Sequence, residues 1–118
     1  MVFVNASYRL IAYGTLAPGR PNNYQLATLE GRWIPGVVRG DLVSAGWGDE
    51  LGYPALVLMP DGSPLDVQVF ESKDLPAHWE RLDEFEGPGY RRVITAVETD
   101  SGPMHASIYV LNQDDGRD

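Results

Sequence analysis

Residues 74–89 read DLPAHWERLDEFEGPG, and they are the part of the sequence with the clearest helical pattern. Asp74 is a favourable N-cap residue, and Pro76 falls in the first turn, where its missing N–H costs little. The Gly-Pro-Gly of residues 87–89 is a strong stop signal for a helix. We therefore predict one helix over residues 75–86.

The apolar face of this helix contains one carboxylate. Four side chains share the face: Leu75, Trp79, Leu82 and Glu86. Glu80 and Glu84 point well away from it and belong to a solvated face. Two interpretations of Glu86 stay open, since the helix either frays and turns Glu86 to solvent or directs it into an apolar cavity. In a cavity, desolvation and the helix C-terminus would both raise the pKa of Glu86, which suits general acid–base catalysis.

Asp83 lies at the edge of the same face, one helical turn before Glu86. Two neighbouring carboxylates suggest the acid pair of a glycosidase. However, i,i+3 neighbours on one helix do not lie on opposite sides of a cleft. We therefore do not expect Asp83 and Glu86 to form such a pair.

Most of the remaining sequence consists of short apolar runs separated by turn residues. The runs predict six strands, at residues 8–13, 37–43, 55–59, 65–70, 92–98 and 105–111. Turn residues at 61–64 predict a hairpin between the third and fourth strands, and those at 100–102 predict one between the last two. About six strands with one main helix indicate an α+β fold whose strands curl into a small barrel.

The composition excludes several classes of function. The chain has 118 residues, of which 17 are acidic and 9 basic, and its formal net charge is −8. Such a surface repels phosphate, so nucleic acid and anionic membranes are poor candidates for partners. The absence of cysteine excludes disulfides, thiolate metal sites and cysteine nucleophiles, and 2 histidines are too few for a histidine-rich metal cluster.

The length and the ends of the chain predict its organisation. We expect a single domain over residues 1–118, with a frayed polar tail at about 112–118. The first residues lack the basic and apolar regions of a signal peptide, and no apolar run reaches the roughly 20 residues of a transmembrane helix. We therefore predict a cytoplasmic location.

The loop after the first strand is able to expose backbone donors. Its residues 13–16, YGTL, follow the strand directly and lead into a stretch rich in proline and glycine. Several N–H groups that point in one direction would suit a carboxylate or an oxyanion. Many strand-to-loop turns have this composition, so the loop alone leaves its role open. Neither GxGxxG nor a Walker pattern is present.

Two of these segments resemble the motifs of one family. Residues 13–23, YGTLAPGRPNN, are similar to the YGTLxxGxxN signature of the γ-glutamylcyclotransferase-like (AIG2-like) family, and residues 82–92, LDEFEGPGYRR, are similar to its LDxxEGxxYxR motif. The motifs occur in the family's order and at a similar separation. The stretch at residues 53–55 and Tyr109 in the last strand also fit, so the resemblance spans nearly the whole chain.

The resemblance implies a mixed β-barrel with a cavity at one end and release of 5-oxoproline from γ-glutamyl compounds. It assigns catalysis to Glu86. It assigns substrate binding to five further residues: Tyr13, Gly14, Thr15, Leu16 and Tyr109. The implied partner is a small γ-glutamyl amine or amino acid, with no cofactor and no metal, whereas the oligomeric state stays open.

The chain also departs from the family pattern. Val67 and Gln68 stand where the family usually has a Gly-Glu pair, and Ala17 stands where arginine is common. Two other functions stay open, the first of them because of these departures. One is a non-catalytic binding or regulatory domain that retains the cavity, and the other is a hydrolase that would release free glutamate.

Overall fold

The computed structural model describes residues 6–14, 16–20, 22–44 and 54–111. The main elements along these residues are, in order, β1 Arg9–Ala12, β2 Arg32–Ser44, β3 Pro54–Leu58, β4 Pro64–Glu71, α1 Trp79–Glu86, β5 Tyr90–Thr99 and β6 Gly102–Leu111. Short 3₁₀ turns lie at Asn23–Leu26 and Leu75–His78. The predicted tail at 112–118 lies outside the described residues.

Five of the strands close into a barrel in the order β2, β4, β1, β6, β5 and back to β2. β3 extends the sheet from β2. β1 runs parallel to β6 and antiparallel to β4, which makes the barrel mixed. The predicted fold class, a small mixed barrel of about six strands with one main helix, is confirmed.

Alternation along the strands produces two apolar cores. One fills the barrel and contains residues of all six strands, such as Ile11, Leu56 and Ile108. The other lies outside the barrel, where the helix covers the sheet. Its members include Leu10, Phe70, Leu75, Trp79, Leu82 and Tyr109. Odd and even residues of one strand therefore face different cores, as the period of two requires.

The predicted helix begins differently from the expectation. Residues 75–78 form a 3₁₀ turn, and the α-helix starts only at Trp79. Asp74 makes no side-chain cap, because its carboxylate accepts the backbone N–H of Glu30 at 3.0 Å instead. α1 extends to Glu86, and Gly87, with φ 84, follows it and donates its N–H to the oxygen of Asp83 at 3.1 Å. The interpretation in which the helix frays before Gly87 is wrong. α1 has 8 residues, and no helix of the described residues is long and apolar enough to cross a bilayer.

The two predicted hairpins have different outcomes. β5 and β6 pair antiparallel through the predicted turn. The hairpin between residues 55–59 and 65–70 is wrong, because β3 and β4 pair with opposite edges of β2. At the crossing, the oxygen of Arg39 accepts from Met59 and the N–H of Gly40 donates to Ser63, both at 3.1 Å.

The length of β2 explains this difference. β2 has 13 residues and begins at Arg32, well before the predicted start at residue 37. Pro35 and Gly36 interrupt the apolar pattern and hide its first half, because both are unfavourable strand residues. A strand of this length offers two long edges, and β4 pairs with one while β3 and β5 share the other.

Gly36 lies where β2 meets β5 and the barrel closes. A Cβ at this position would stand 2.8 Å from Cγ2 of Val97 and 3.1 Å from the oxygen of Glu98. We therefore expect Gly36→Ala to lower the free energy of unfolding by about 1–3 kcal/mol, since the closed barrel leaves no room for a methyl group. Urea unfolding measures the loss. Gly14→Ala is the control, because a Cβ at Gly14 meets no described atom within 4 Å. Equal stability of the two variants would contradict the prediction.

Candidate active site

Glu86 is the last residue of α1 and is partly buried. The helix packs through its predicted apolar face, since Leu82 is fully buried and Trp79 is only 7% exposed. Burial raises the pKa of the Glu86 carboxyl to about 7. Glu86 is therefore able to exchange a proton near neutral pH.

Tyr13 follows β1, and its side chain packs against the barrel core. Its hydroxyl donates to the backbone oxygen of Tyr109 at 2.6 Å and accepts the N–H of Leu56 at 3.0 Å. Burial raises the pKa of the Tyr13 phenol, and the charge of Glu86 acts in the same direction. Tyr13 thus links the end of β1 to β6 of the barrel and to β3, which extends the sheet.

Tyr109 lies on β6 with its ring in the outer core. Its hydroxyl donates to Oδ1 of Asp83 at 2.6 Å. Burial raises the pKa of the Tyr109 phenol, with further contributions from Asp83 and from the charge of Glu86. The fold therefore brings Glu86 together with Tyr13 and Tyr109, which lie 96 positions apart in the chain.

Asp83 is bound on both oxygens, a role that the sequence did not predict. Nε of Arg92 donates to Oδ1 at 2.8 Å, and a second nitrogen donates to Oδ2 at 3.1 Å. Arg92 also lies over the ring of Trp79, 4.4 Å from its centroid. The hydrogen bonds from Arg92 lower the pKa of Asp83, opposite to the shift at Glu86. Asp83 and Arg92 belong to the same motif, residues 82–92, and this is the sequence feature from which their pairing could have been predicted.

The loop after β1 is folded into a tight turn. Ala17 donates its N–H to the oxygen of Gly14 at 3.1 Å, and Asn23 donates from its side chain to the oxygen of Leu16 at 2.9 Å. Leu16 is buried in the outer core. Thr15, another predicted substrate-binding residue, lies outside the described residues. The cavity that the resemblance implies near this turn stays a prediction.

Gly14 occupies this turn without a structural need for glycine. It is not among the described glycines with positive φ, and an added Cβ would meet no described atom within 4 Å. Within the part of the chain that the structure describes, neither backbone strain nor packing accounts for this glycine. The open space over its backbone is what close approach of a ligand requires.

Two of the residues that depart from the family pattern lie on β4, and the third, Ala17, lies in the turn after β1. Val67 is buried in the barrel core. Gln68 is partly buried and pairs with Ala12 of β1 and Pro35 of β2. Ala17 packs against the outer core.

A family model described as gamma-glutamyl cyclotransferase, AIG2-like, matches residues 10–118. The chain belongs to this family. The match includes Glu86, Tyr109 and the turn after β1, so the resemblance seen in the two motifs is confirmed. A search of curated proteins found no match.

Three solved structures have a similar fold. YkqA from Bacillus subtilis is 30% identical with a TM-score of 0.69, over 89% of this chain and 36% of YkqA, so this chain spans about a third of that protein's length. An aig2-like protein from Mus musculus is 21% identical, with a TM-score of 0.69 over 89% of this chain and 77% of the mouse chain. An uncharacterized protein from Pyrococcus horikoshii is 26% identical, with a TM-score of 0.60 over 87% and 76% of the two chains.

Proposed function

We propose that this chain is a γ-glutamylcyclotransferase that converts a γ-glutamyl amine or a γ-glutamyl amino acid into 5-oxoproline and the free amine. The observation that carries the proposal is Glu86, a partly buried carboxyl whose pKa is raised to about 7. Membership of a family described as gamma-glutamyl cyclotransferase supports the reaction type. An acid–base group works best when its pKa lies near the operating pH.

Glu86 has two proton transfers to perform in this reaction. The substrate's α-ammonium first loses a proton to the Glu86 carboxylate. The free amine then attacks the γ-carbonyl carbon, which closes a five-membered ring and places negative charge on the carbonyl oxygen. The ring nitrogen now carries two protons and a positive charge. As the oxyanion collapses, the bond to the leaving amine breaks, Glu86 returns its proton to the leaving nitrogen, and the second proton of the ring nitrogen passes to the same amine, which leaves as an ammonium ion. Atoms and charge balance without a nucleophilic side chain or a second substrate.

The remaining task of the site is to hold the substrate folded. The attack is intramolecular, and correct orientation contributes on the order of several kcal/mol to the rate. We assign binding of the substrate's α-carboxylate to the backbone of residues 13–16 and contact with the glutamyl chain to Tyr109. The tight turn at Gly14 supports this assignment, because it is anchored by hydrogen bonds and by the buried Leu16.

The test is incubation of the protein with a panel of γ-glutamyl amines and γ-glutamyl amino acids, followed by mass spectrometry. We expect 5-oxoproline and the free amine in equal amounts from at least one member. Free glutamate instead of 5-oxoproline would indicate a hydrolase. Binding of panel members without any product would overturn the enzyme assignment in favour of a binding domain.

Gly14→Ala is expected to weaken substrate binding without weakening the fold. The added methyl group occupies the open space over the turn and keeps the substrate from the backbone donors. Loss of one hydrogen bond to a charged group weakens binding by roughly 10- to 100-fold. We therefore expect KM to rise by this factor. Steady-state kinetics with the best panel substrate measures it, and thermal unfolding checks the fold. An unchanged KM would mean that the substrate does not approach this turn.

A further inference from the structure

Both phenols beside Glu86 have given their single proton to another acceptor. The Tyr13 hydroxyl donates to the oxygen of Tyr109, and the Tyr109 hydroxyl donates to Oδ1 of Asp83, each at 2.6 Å. A phenol has one O–H donor. Neither hydroxyl can therefore donate to Glu86 while these bonds hold. Asp83, which accepts the Tyr109 proton, lies three residues before Glu86 on α1, so the two carboxylates are neighbours on the surface of the helix.

Asp83 is a fixed acceptor rather than a mobile surface carboxylate. Arg92 donates to both of its oxygens, at 2.8 and 3.1 Å. The guanidinium lies 4.4 Å from the ring centroid of Trp79, whose indole N–H donates to the oxygen of Ser7 at 3.0 Å. Asp83, which accepts the Tyr109 proton, is thus fixed by Arg92 of β5. Arg92 in turn lies over Trp79 of α1, and Trp79 is bound to the segment before β1.

We propose that Asp83 is a positioning residue for Glu86: held by Arg92, it binds the phenolic proton of Tyr109 and keeps that O–H from pointing toward the Glu86 carboxylate. The inference rests on the proposed function, because that function assigns the acid–base step to Glu86. An O–H aimed at a carboxylate stabilises the ionised form and lowers its pKa. With the O–H directed to Asp83, Glu86 keeps its affinity for the proton that it must take from the substrate.

The helix of Glu86 and the elements near it carry other charged and titratable groups, and their effects must be separated from this one. They are Asp83 and Glu84 on α1, Tyr13 after β1, Tyr90, Arg91 and Arg92 on β5, and Tyr109 on β6. Arg92 is the main competitor, since its charge also acts on the Tyr109 phenol. Released from Asp83, Arg92 could lower the pKa of Glu86 by charge alone.

Four variants separate the phenol from the charge. Asp83→Ala removes the acceptor and the charge, and it leaves no cavity because the Asp83 side chain is 44% exposed. Asp83→Asn removes the charge but retains an acceptor oxygen. Tyr109→Phe removes the phenolic proton, and the double variant Asp83→Ala with Tyr109→Phe releases Arg92 in the absence of that proton.

The measurement is titration of the Glu86 carboxyl carbon by ¹³C NMR in the protein without substrate, with Glu86→Gln to identify its resonance. We expect the pKa of Glu86 to fall by about one pH unit or more in Asp83→Ala, and by clearly less in Asp83→Asn. In the double variant we expect the pKa of Glu86 to stay within about half a pH unit of the value that it has in Tyr109→Phe. An equal fall in the single and double Asp83→Ala variants would assign the effect to charge and overturn the proposal, as would no fall in Asp83→Ala.

The kinetic readout distinguishes this inference from the proposed function. If Glu86 is the base, the acidic limb of the kcat profile should move to lower pH in Asp83→Ala by the change in pKa that NMR measures, with a smaller change in KM. If none of the proteins forms 5-oxoproline, the proposed function fails. The NMR titration still decides whether Asp83 controls the proton affinity of Glu86.

Discussion

Glu86→Gln is expected to lower kcat for 5-oxoproline release by about 10²- to 10⁴-fold, the usual contribution of a positioned acid–base group. Glutamine has nearly the same shape and keeps the packing at the end of α1, but it can neither accept the ammonium proton nor return it to the leaving amine. KM should change much less than kcat, since the substrate's carboxylate is assigned to the turn after β1. The loss would therefore lie in the chemical step.

Steady-state kinetics on the best panel substrate measures this loss. Glu84→Gln is the matched control, because Glu84 lies on the exposed side of the same helix and its replacement removes the same charge. We expect this control to keep wild-type activity. Product formation by Glu86→Gln at the wild-type rate would show that another group transfers the protons, and the central assignment would then be wrong.

Glu86 is also expected to make the fold less stable as the pH rises. Burial raises the pKa of Glu86 from 4.5 to about 7, so between these values the native state binds a proton that the unfolded state has lost. The stability that this proton contributes is fully present below the unfolded pKa and is lost as the pH rises through the folded pKa. The loss amounts to about 3 kcal/mol, because a difference of one between the folded and unfolded pKa corresponds to about 1.4 kcal/mol.

Urea unfolding between about pH 4 and pH 8 measures this effect as a difference between proteins. We subtract the free energy of unfolding of wild type from that of Glu86→Gln. This difference should rise as the pH increases from 4.5 to about 7, the unfolded and folded pKa values of Glu86, and should stay constant above that. Subtraction removes the contribution of the other acidic groups, which both proteins share. The same difference for Glu84→Gln should stay flat. A flat difference for Glu86→Gln would show that the carboxylate is solvated in the native state.

Local sequence patterns predicted the elements that depend on neighbouring residues. The spacing of Leu75, Trp79 and Leu82 predicted the buried face of the helix, and the glycine after Glu86 predicted where the helix stops. The antiparallel pairing of β5 and β6 followed from a short turn between two apolar runs. Each depends on contacts within one helical turn or across one tight turn, so the information lies in adjacent positions.

Patterns of this kind were wrong where distant residues compete for a partner. Asp74 is a good N-cap by composition, but the N–H of Glu30 binds its carboxylate. The apolar runs of β3 and β4 are joined by a good turn, but the 13-residue β2 offers each run a different edge. Tertiary contacts overrode the local preference in both cases. For β3 and β4, pairing with a long strand satisfies more backbone groups than a short hairpin does.

The sequence by itself determined the family, the α+β class and the unusual position of Glu86 on an apolar helix face. The tertiary structure alone decided what surrounds that carboxylate: closure of the barrel at Gly36, the bond from Tyr13 to Tyr109 across 96 positions, and the bond from Tyr109 to Asp83 across 26. The physical reason is that a raised pKa depends on how much water and which donors reach the group. Access of water and donors depends on how distant segments pack, and the spacing of neighbouring residues does not contain that information.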